Sequence, residues 1–199
     1  MQCSVIVFDV FGTLLTIEKR RSPYKRLLHA LAKQGRRPQA NDVSMVMSHC
    51  KSFAELAKFW GYEISIDLVK SLEADLAEEL DSICLYDDTR ETLLKLKSQG
   101  FKLALCSNLA MPYGNAVFNQ LPSFDAYAMS YAVGATKPDP KIYQHLLNEL
   151  HCDAKEMLFI GDTPKADVVG PTAFGMCARL IERKKGQTLR QAMSGCVDI

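Results

Sequence analysis

The chain has 199 residues, 24 Lys and Arg against 23 Asp and Glu, and a net charge of +1. That balance gives no drive toward nucleic acid or an anionic membrane surface. Seven cysteines, an odd number with no Cys-x-x-Cys spacing, argue against a zinc site or dithiol redox chemistry and fit a reducing, cytoplasmic compartment. The length suits one domain, or a core domain with a modest insertion, and can bury a core without disulfides or structural metal. No apolar run reaches the length of a membrane span, and the N-terminus leads directly into a strand pattern with no signal-peptide features.

Val5-Ile6-Val7-Phe8 is a continuous apolar run, the pattern of a strand buried on both faces of a parallel sheet. Asp9 follows where the strand ends, and Gly12 marks a sharp turn just beyond. A carboxylate at that end of a parallel strand lies where open α/β sheets bind ligands, although alone it also fits a turn or helix cap.

From about Thr16 to Tyr86 the periodicity is helical. Leu27, Leu28, Leu31 and Ala32 share one face; so do Phe53, Leu56, Ala57 and Trp60, and then Leu68, Leu72, Leu76 and Leu80. Gly35 to Pro38 and Gly61-Tyr62 interrupt the pattern as turns. A block of helices here breaks plain β-α-β alternation and reads as an inserted helical domain.

The alternation resumes at Asp87. Asp88 or Thr89 caps a helix through about Gln99, with Gly100 as its stop. Phe101 to Cys106 is a second buried strand, ending in Ser107-Asn108. Ala126 to Ser130 is a short strand, followed by Gly134, Lys137-Pro138 and a helix over 141–150. Met157 to Ile160 is another strand, ending in Gly161-Asp162. A helix holding Asp167 and a strand near Met176 to Leu180 complete the pattern. Strands alternating with helices predict a parallel sheet with right-handed crossovers. Arg183-Lys184-Lys185 reads as a solvated end, and Arg20, Arg21, Arg36 and Arg37 as solvated charge. The four histidines show no metal-site spacing, and Cys106 reads as a buried strand residue without chemistry.

Asp9, Ser107-Asn108 and Asp162 therefore end three strands on one edge of the sheet, with Lys137 after a fourth. Carboxylates, hydroxyl, amide and ammonium converge as they would around an anionic group beside a hard cation.

The motifs Phe8-Asp9-Val10-Phe11-Gly12-Thr13-Leu14, Cys106-Ser107-Asn108, Lys137-Pro138-Asp139 and Gly161-Asp162-Thr163-Pro164-Lys165-Ala166-Asp167, in that order, resemble those of the haloacid dehalogenase-like hydrolase superfamily. The resemblance implies an α/β fold: a Rossmann-like parallel sheet core, residues 1–15 and 87–199, with an α-helical cap, residues 16–86, inserted after the first motif. It implies Asp9 as the nucleophile that forms an aspartyl intermediate, with Ser107 and Lys137 as catalytic partners. Thr13, Ser107, Asn108 and Lys137 would bind substrate. Asp9, the backbone carbonyl of Phe11, Asp162 and Asp167 (a ligand or a support) would form the Mg2+ site.

The chain departs from the phosphatase pattern at one position. Phosphatases of the superfamily carry a second Asp as general acid/base where this chain has Phe11. The dehalogenases, which are metal-free, use an aromatic residue there, but generally have small polar residues in place of Gly161-Asp162. The main expectation is a Mg2+-dependent, phosphatase-type hydrolase of a small phosphorylated metabolite. A metal-free 2-haloacid dehalogenase, with a cap arginine holding the halide, is one alternative. A low-turnover member that binds a phosphorylated ligand or a protein is the other. Neither nucleic acid nor membrane is an expected partner, and oligomeric state stays open.

Overall fold

The computed structural model describes residues 3–197. In chain order its elements are β1 (Val5–Phe8), β2 (Leu15–Ile17), α1 (Pro23–Lys33), α2 (Asp42–Met47), α3 (Phe53–Phe59), α4 (Ile66–Asp81), β3 (Ile83–Leu85), α5 (Thr89–Ser98) and β4 (Lys102–Ser107). There follow α6 (Met111–Gln120), β5 (Ala126–Met129), α7 (Ser130–Val133), α8 (Pro140–Leu150), β6 (Met157–Gly161), α9 (Gly170–Phe174), β7 (Cys177–Leu180) and α10 (Leu189–Met193). The main sheet is parallel, as the alternation predicts, and its order β5-β4-β1-β6-β7 is the Rossmann-like core that the resemblance implies. β1 is central: Val5 pairs with Lys102 on one side and Met157 on the other.

Burial on both faces explains the unbroken apolar runs. Side chains alternate across a strand, so Ile6 and Phe8 face one layer while Val5 and Val7 face the other. The first layer holds Leu93 and Leu96 of α5 and Leu189 of α10; the second holds Ile142, Tyr143, Leu146 and Leu150 of α8.

The helical periodicity over the inserted segment becomes α1 to α4. Ser52 caps α3 in a reciprocal capping box with Glu55, and the Ser65 hydroxyl caps α4 at the amide of Leu68. Leu72 is fully buried, while Leu68, Leu76 and Leu80 pack half-buried against the same core. The segment is closed at its base by a two-stranded antiparallel ribbon, β2 against β3, in which Leu15 faces Leu85 and Ile17 faces Ile83. The expected division at residue 15/16 therefore falls inside β2.

Two expectations about charge are corrected. Arg36 is not solvated: it is buried, forms a two-pronged ion pair with the equally buried Asp42, and lies 4.3 Å from the centroid of the Trp60 ring. Arg183 is not a solvated end either. Its Nε and Nη2 donate to the carbonyl of Thr13 at 3.0 and 2.7 Å, its Nη1 meets Asp88, and its guanidinium stacks over Tyr86. Asp88 is thereby occupied by Arg183 and by the amide of Leu189, and makes no side-chain cap on α5.

Candidate active site

The ends of β1, β4 and β6 bring their polar residues to one sheet edge. Asp9 directly follows β1, and its amide continues the ladder by donating to the carbonyl of Ile160 at 2.9 Å. Its carboxylate is almost buried, at 7% exposure. Ser107, the last residue of β4, donates its hydroxyl to Asp9 Oδ1 at 3.1 Å. Lys137 is buried between two acids: its Nζ lies 2.7 Å from Asp9 Oδ1 and 2.6 Å from Asp167 Oδ1. Asn108 does not aim its amide at open space. It accepts from the amide of Lys137 at 2.7 Å and donates to that residue's carbonyl at 3.0 Å, so it holds the lysine loop in place.

Asp167 sits on a π-helical turn, Pro164–Val169, the kind of irregular helix that recurs at functional sites. Both its oxygens are engaged, Oδ1 by Lys137 and Oδ2 by the amide of Thr163 at 2.8 Å. Asp162 stands at the mouth, more exposed, with the Thr163 hydroxyl 3.1 Å from its Oδ1. Carboxylate oxygens of Asp9, Asp162 and Asp167 lie within 4.8 Å of one another.

The electrostatics follow from packing three acids around one base. Burial works against the charge on Lys137, but Asp9 and Asp167 outweigh it and hold the ammonium above its ordinary range. Burial pushes Asp167 up to about 6, against the pull of Lys137 and with Asp9 adding to the rise. Burial and then Asp9 also raise Asp162. A hard divalent cation would relieve this clustering of negative charge, and an all-oxygen donor set suits Mg2+. The backbone makes room for such a cradle. Gly12 has φ +86°, and a Cβ there would collide with the Asp162 carboxylate; a Cβ on Gly161 would collide with Asp167. Cys106 takes no part: burial pushes its thiol up to about 12.

A family model described as haloacid dehalogenase-like hydrolase matches residues 3–175. The chain belongs to the haloacid dehalogenase-like hydrolase family. Its sequence is 31% identical over 97 residues to a human protein, haloacid dehalogenase-like hydrolase domain-containing protein 3, which covers 48% of this chain and 39% of that one. It is 31% identical over 107 residues to glyceraldehyde 3-phosphate phosphatase of Methanopyrus kandleri, covering 52% and 46%. The chain thus spans about half the length of the curated relatives it matches. A crystal structure of a haloacid dehalogenase family enzyme from Bacteroides thetaiotaomicron superimposes with a TM-score of 0.70 at 17% identity, covering 96% of this chain and 98% of that one. At that identity the likeness speaks for the fold.

A cavity of about 500 Å³ lies between the inserted helices and the loops that follow β1 and β4. Phe11 lines it, its ring edge-on to Tyr113 with centroids 5.9 Å apart. Arg20 also lines it, whereas Arg36 does not. Sequence reasoning missed Tyr113 and Glu79. Glu79 is 3% exposed, accepts from the amides of Arg21 and Ser22 at 2.6 and 2.8 Å, and accepts from the Tyr113 hydroxyl. A signal existed: Glu79 falls seven residues after Leu72, on the apolar face of α4.

Proposed function

We propose that the protein is a Mg2+-dependent hydrolase of small phosphorylated metabolites, with Asp9 as nucleophile. The observation that carries this reading is the cluster of Asp9, Asp162 and Asp167 around the buried Lys137. Asp9, the Phe11 carbonyl and Asp162 would hold the cation, and Asp167, with both oxygens already engaged, would support from behind. When bound, Mg2+ neutralises charge on the nucleophile and the phosphate together.

The chain's own residues do the rest. The Ser107 hydroxyl and the Lys137 ammonium fix Asp9 Oδ1 and leave Oδ2 to attack phosphorus. Attack forms an aspartyl phosphate, which water then hydrolyses. The buried ammonium lies where negative charge develops, in a site with little competing water. Thr13 is buried, its hydroxyl without a partner among the described residues and its carbonyl held by Arg183, and it supports the loop or donates to a phosphate oxygen. The inserted helices α1 to α4 act as the cap, and the five-stranded sheet with its flanking helices as the core. The phosphatase named among the relatives supports this class of substrate. A metal-free dehalogenase reading draws on Phe11 and on Arg20 beside the same cavity, but it leaves the acidic cluster without a task.

p-Nitrophenyl phosphate and 2-chloropropionate, assayed with Mg2+ or EDTA, test the proposal. Phosphate release that EDTA abolishes and Asp9→Asn removes is expected. EDTA-resistant halide release would overturn it.

A further inference from the structure

The cavity lined by Phe11 says more about the substrate. Phe11 lies two residues after Asp9 and Asn108 directly after Ser107, so these two bring the cavity lining to the loops that carry the site. Tyr24 and Tyr113 add two more rings, with centroids 6.4 Å apart, and Leu28 and Met47 add aliphatic surface. The volume is that of a pocket for a small organic molecule. The Glu79 carboxylate, the Tyr113 hydroxyl and the Asn108 amide in this wall are already engaged, and the Tyr24 and Ser22 hydroxyls are its remaining neutral polar side chains. Both oxygens of Glu79 are taken by the Arg21 and Ser22 amides and the Tyr113 hydroxyl, and the Asn108 amide is taken by the backbone of Lys137. The cations Arg20 and Lys25 are exposed and stand at the mouth. A polyol or sugar body would lose the water on all its hydroxyls in this pocket and meet only the Tyr24 and Ser22 hydroxyls as neutral partners in return. An aromatic body would gain ring contacts.

The second observation is Phe11 itself. It lines the cavity and stands at the position where the resemblance puts the phosphatases' general acid, and a phenyl ring has no proton to give. In the first step an oxygen of Asp9 forms a bond to phosphorus while the bond from phosphorus to the leaving oxygen breaks. That oxygen departs with the bonding electron pair. An alkoxide is too basic to leave well without a proton. An aryloxide, whose parent phenol has a pKa near that of tyrosine, about 10, can leave as the anion and take its proton from water afterwards. Water then attacks the aspartyl phosphate and gives inorganic phosphate and free Asp9, its proton passing to a phosphate oxygen or to solvent.

The geometry points to monophosphate esters of aromatic hydroxyls as the substrate class. This rests on the phosphatase reading above and narrows it. The test compares kcat/KM in Mg2+ for phenyl phosphate, cyclohexyl phosphate of similar size and apolarity, and glycerol 1-phosphate. It is run for the parent and for Phe11→Asp. Alongside, calorimetry measures binding of two uncleavable ligands, benzylphosphonate and 2-hydroxyethylphosphonate. Phenyl phosphate is expected to exceed cyclohexyl phosphate by about 100-fold or more, with the gap narrowing in Phe11→Asp as a carboxylic acid takes up the missing role. Benzylphosphonate is expected to bind at least about 10-fold tighter than its hydroxyethyl counterpart. Preference for glycerol 1-phosphate, equal binding of the two phosphonates, or an aryl-to-alkyl gap that Phe11→Asp leaves unchanged would overturn the assignment. Selective binding of benzylphosphonate with no ester hydrolysed at all would instead overturn the phosphatase reading while upholding the aromatic site.

Discussion

Glu79 joins the inserted helices to the core, and replacing it gives a sharp test of the packing. Its carboxylate, carried on α4, accepts from two amides at the start of α1 and from the hydroxyl of Tyr113 on α6. Burial, with Glu79 reinforcing it, holds that hydroxyl above its ordinary range, so Tyr113 stays a donor. Hydrogen bonds to a charged group contribute about 1.5–3 kcal/mol each. Glu79→Leu removes all three acceptors, but the exposed backbone at Arg21 and Ser22 regains water. The net cost should be about 2–4 kcal/mol, or a fall in Tm of roughly 5–15 °C for a chain of this length. Glu79→Gln keeps one oxygen for the two amides and should cost about 1 kcal/mol. Tyr113→Phe should cost about the same and be strongly non-additive with Glu79→Gln, because both remove the same contact. Urea unfolding of the parent, the three single variants and the Glu79→Gln/Tyr113→Phe double variant measures this. A cost below about 1 kcal/mol for Glu79→Leu, or additive effects in the cycle, would refute the account of a shared, buried acceptor.

Phe11→Asp should raise turnover of p-nitrophenyl phosphate by about 10-fold or more and remove the burst of p-nitrophenol expected of the parent; stopped-flow release measures both. Asp162→Asn should weaken Mg2+ binding by at least about 10-fold in calorimetry, since it deletes a carboxylate from the cradle. Gly12→Ala should fold but lose most activity, because its methyl group occupies the space of the Asp162 carboxylate and its backbone is strained by about 1–3 kcal/mol. Arg36→Met should cost about 3–5 kcal/mol at neutral pH by leaving Asp42 buried and unpaired. The Arg36 hydrogen bond holds Asp42 below its ordinary 3.8, so the pair's contribution is full above that value and is lost as pH falls through the folded value. Urea melts should therefore show the gap between parent and variant closing in acid.

The edge of the sheet was legible because β1, β4 and β6 are apolar runs that each stop at a polar residue, and buried parallel strands allow no other pattern. Asp9, Ser107 and Asp162 follow from that pattern alone. The ribbon of β2 and β3 was not legible, since three residues are too few to show a period of two. Arg36 and Arg183 were misread for a related reason. A charged side chain is buried only when a partner waits for it, and Asp88 lies 95 residues before Arg183. Asp42 lies only six residues after Arg36, but the pairing depends on how α2 packs rather than on a spacing rule. Glu79 carried a readable sign in its place on the apolar face of α4; what it binds, Tyr113, comes from a different part of the chain.

The position of β1 has a consequence for how the protein is made. The strand that leads into Asp9 is synthesised before its two neighbours, β4 and β6, which emerge much later. Lys137, which orients Asp9, is 128 residues downstream, and Arg183, which pins the carbonyl of Thr13, is 170 downstream. A growing chain on the ribosome thus holds Asp9 as an ordinary aspartate on an unpaired strand. The carboxylate gains its lysine and hydroxyl partners only when the later strands dock beside the first, so the contacts of largest sequence separation are also the ones that shape the site.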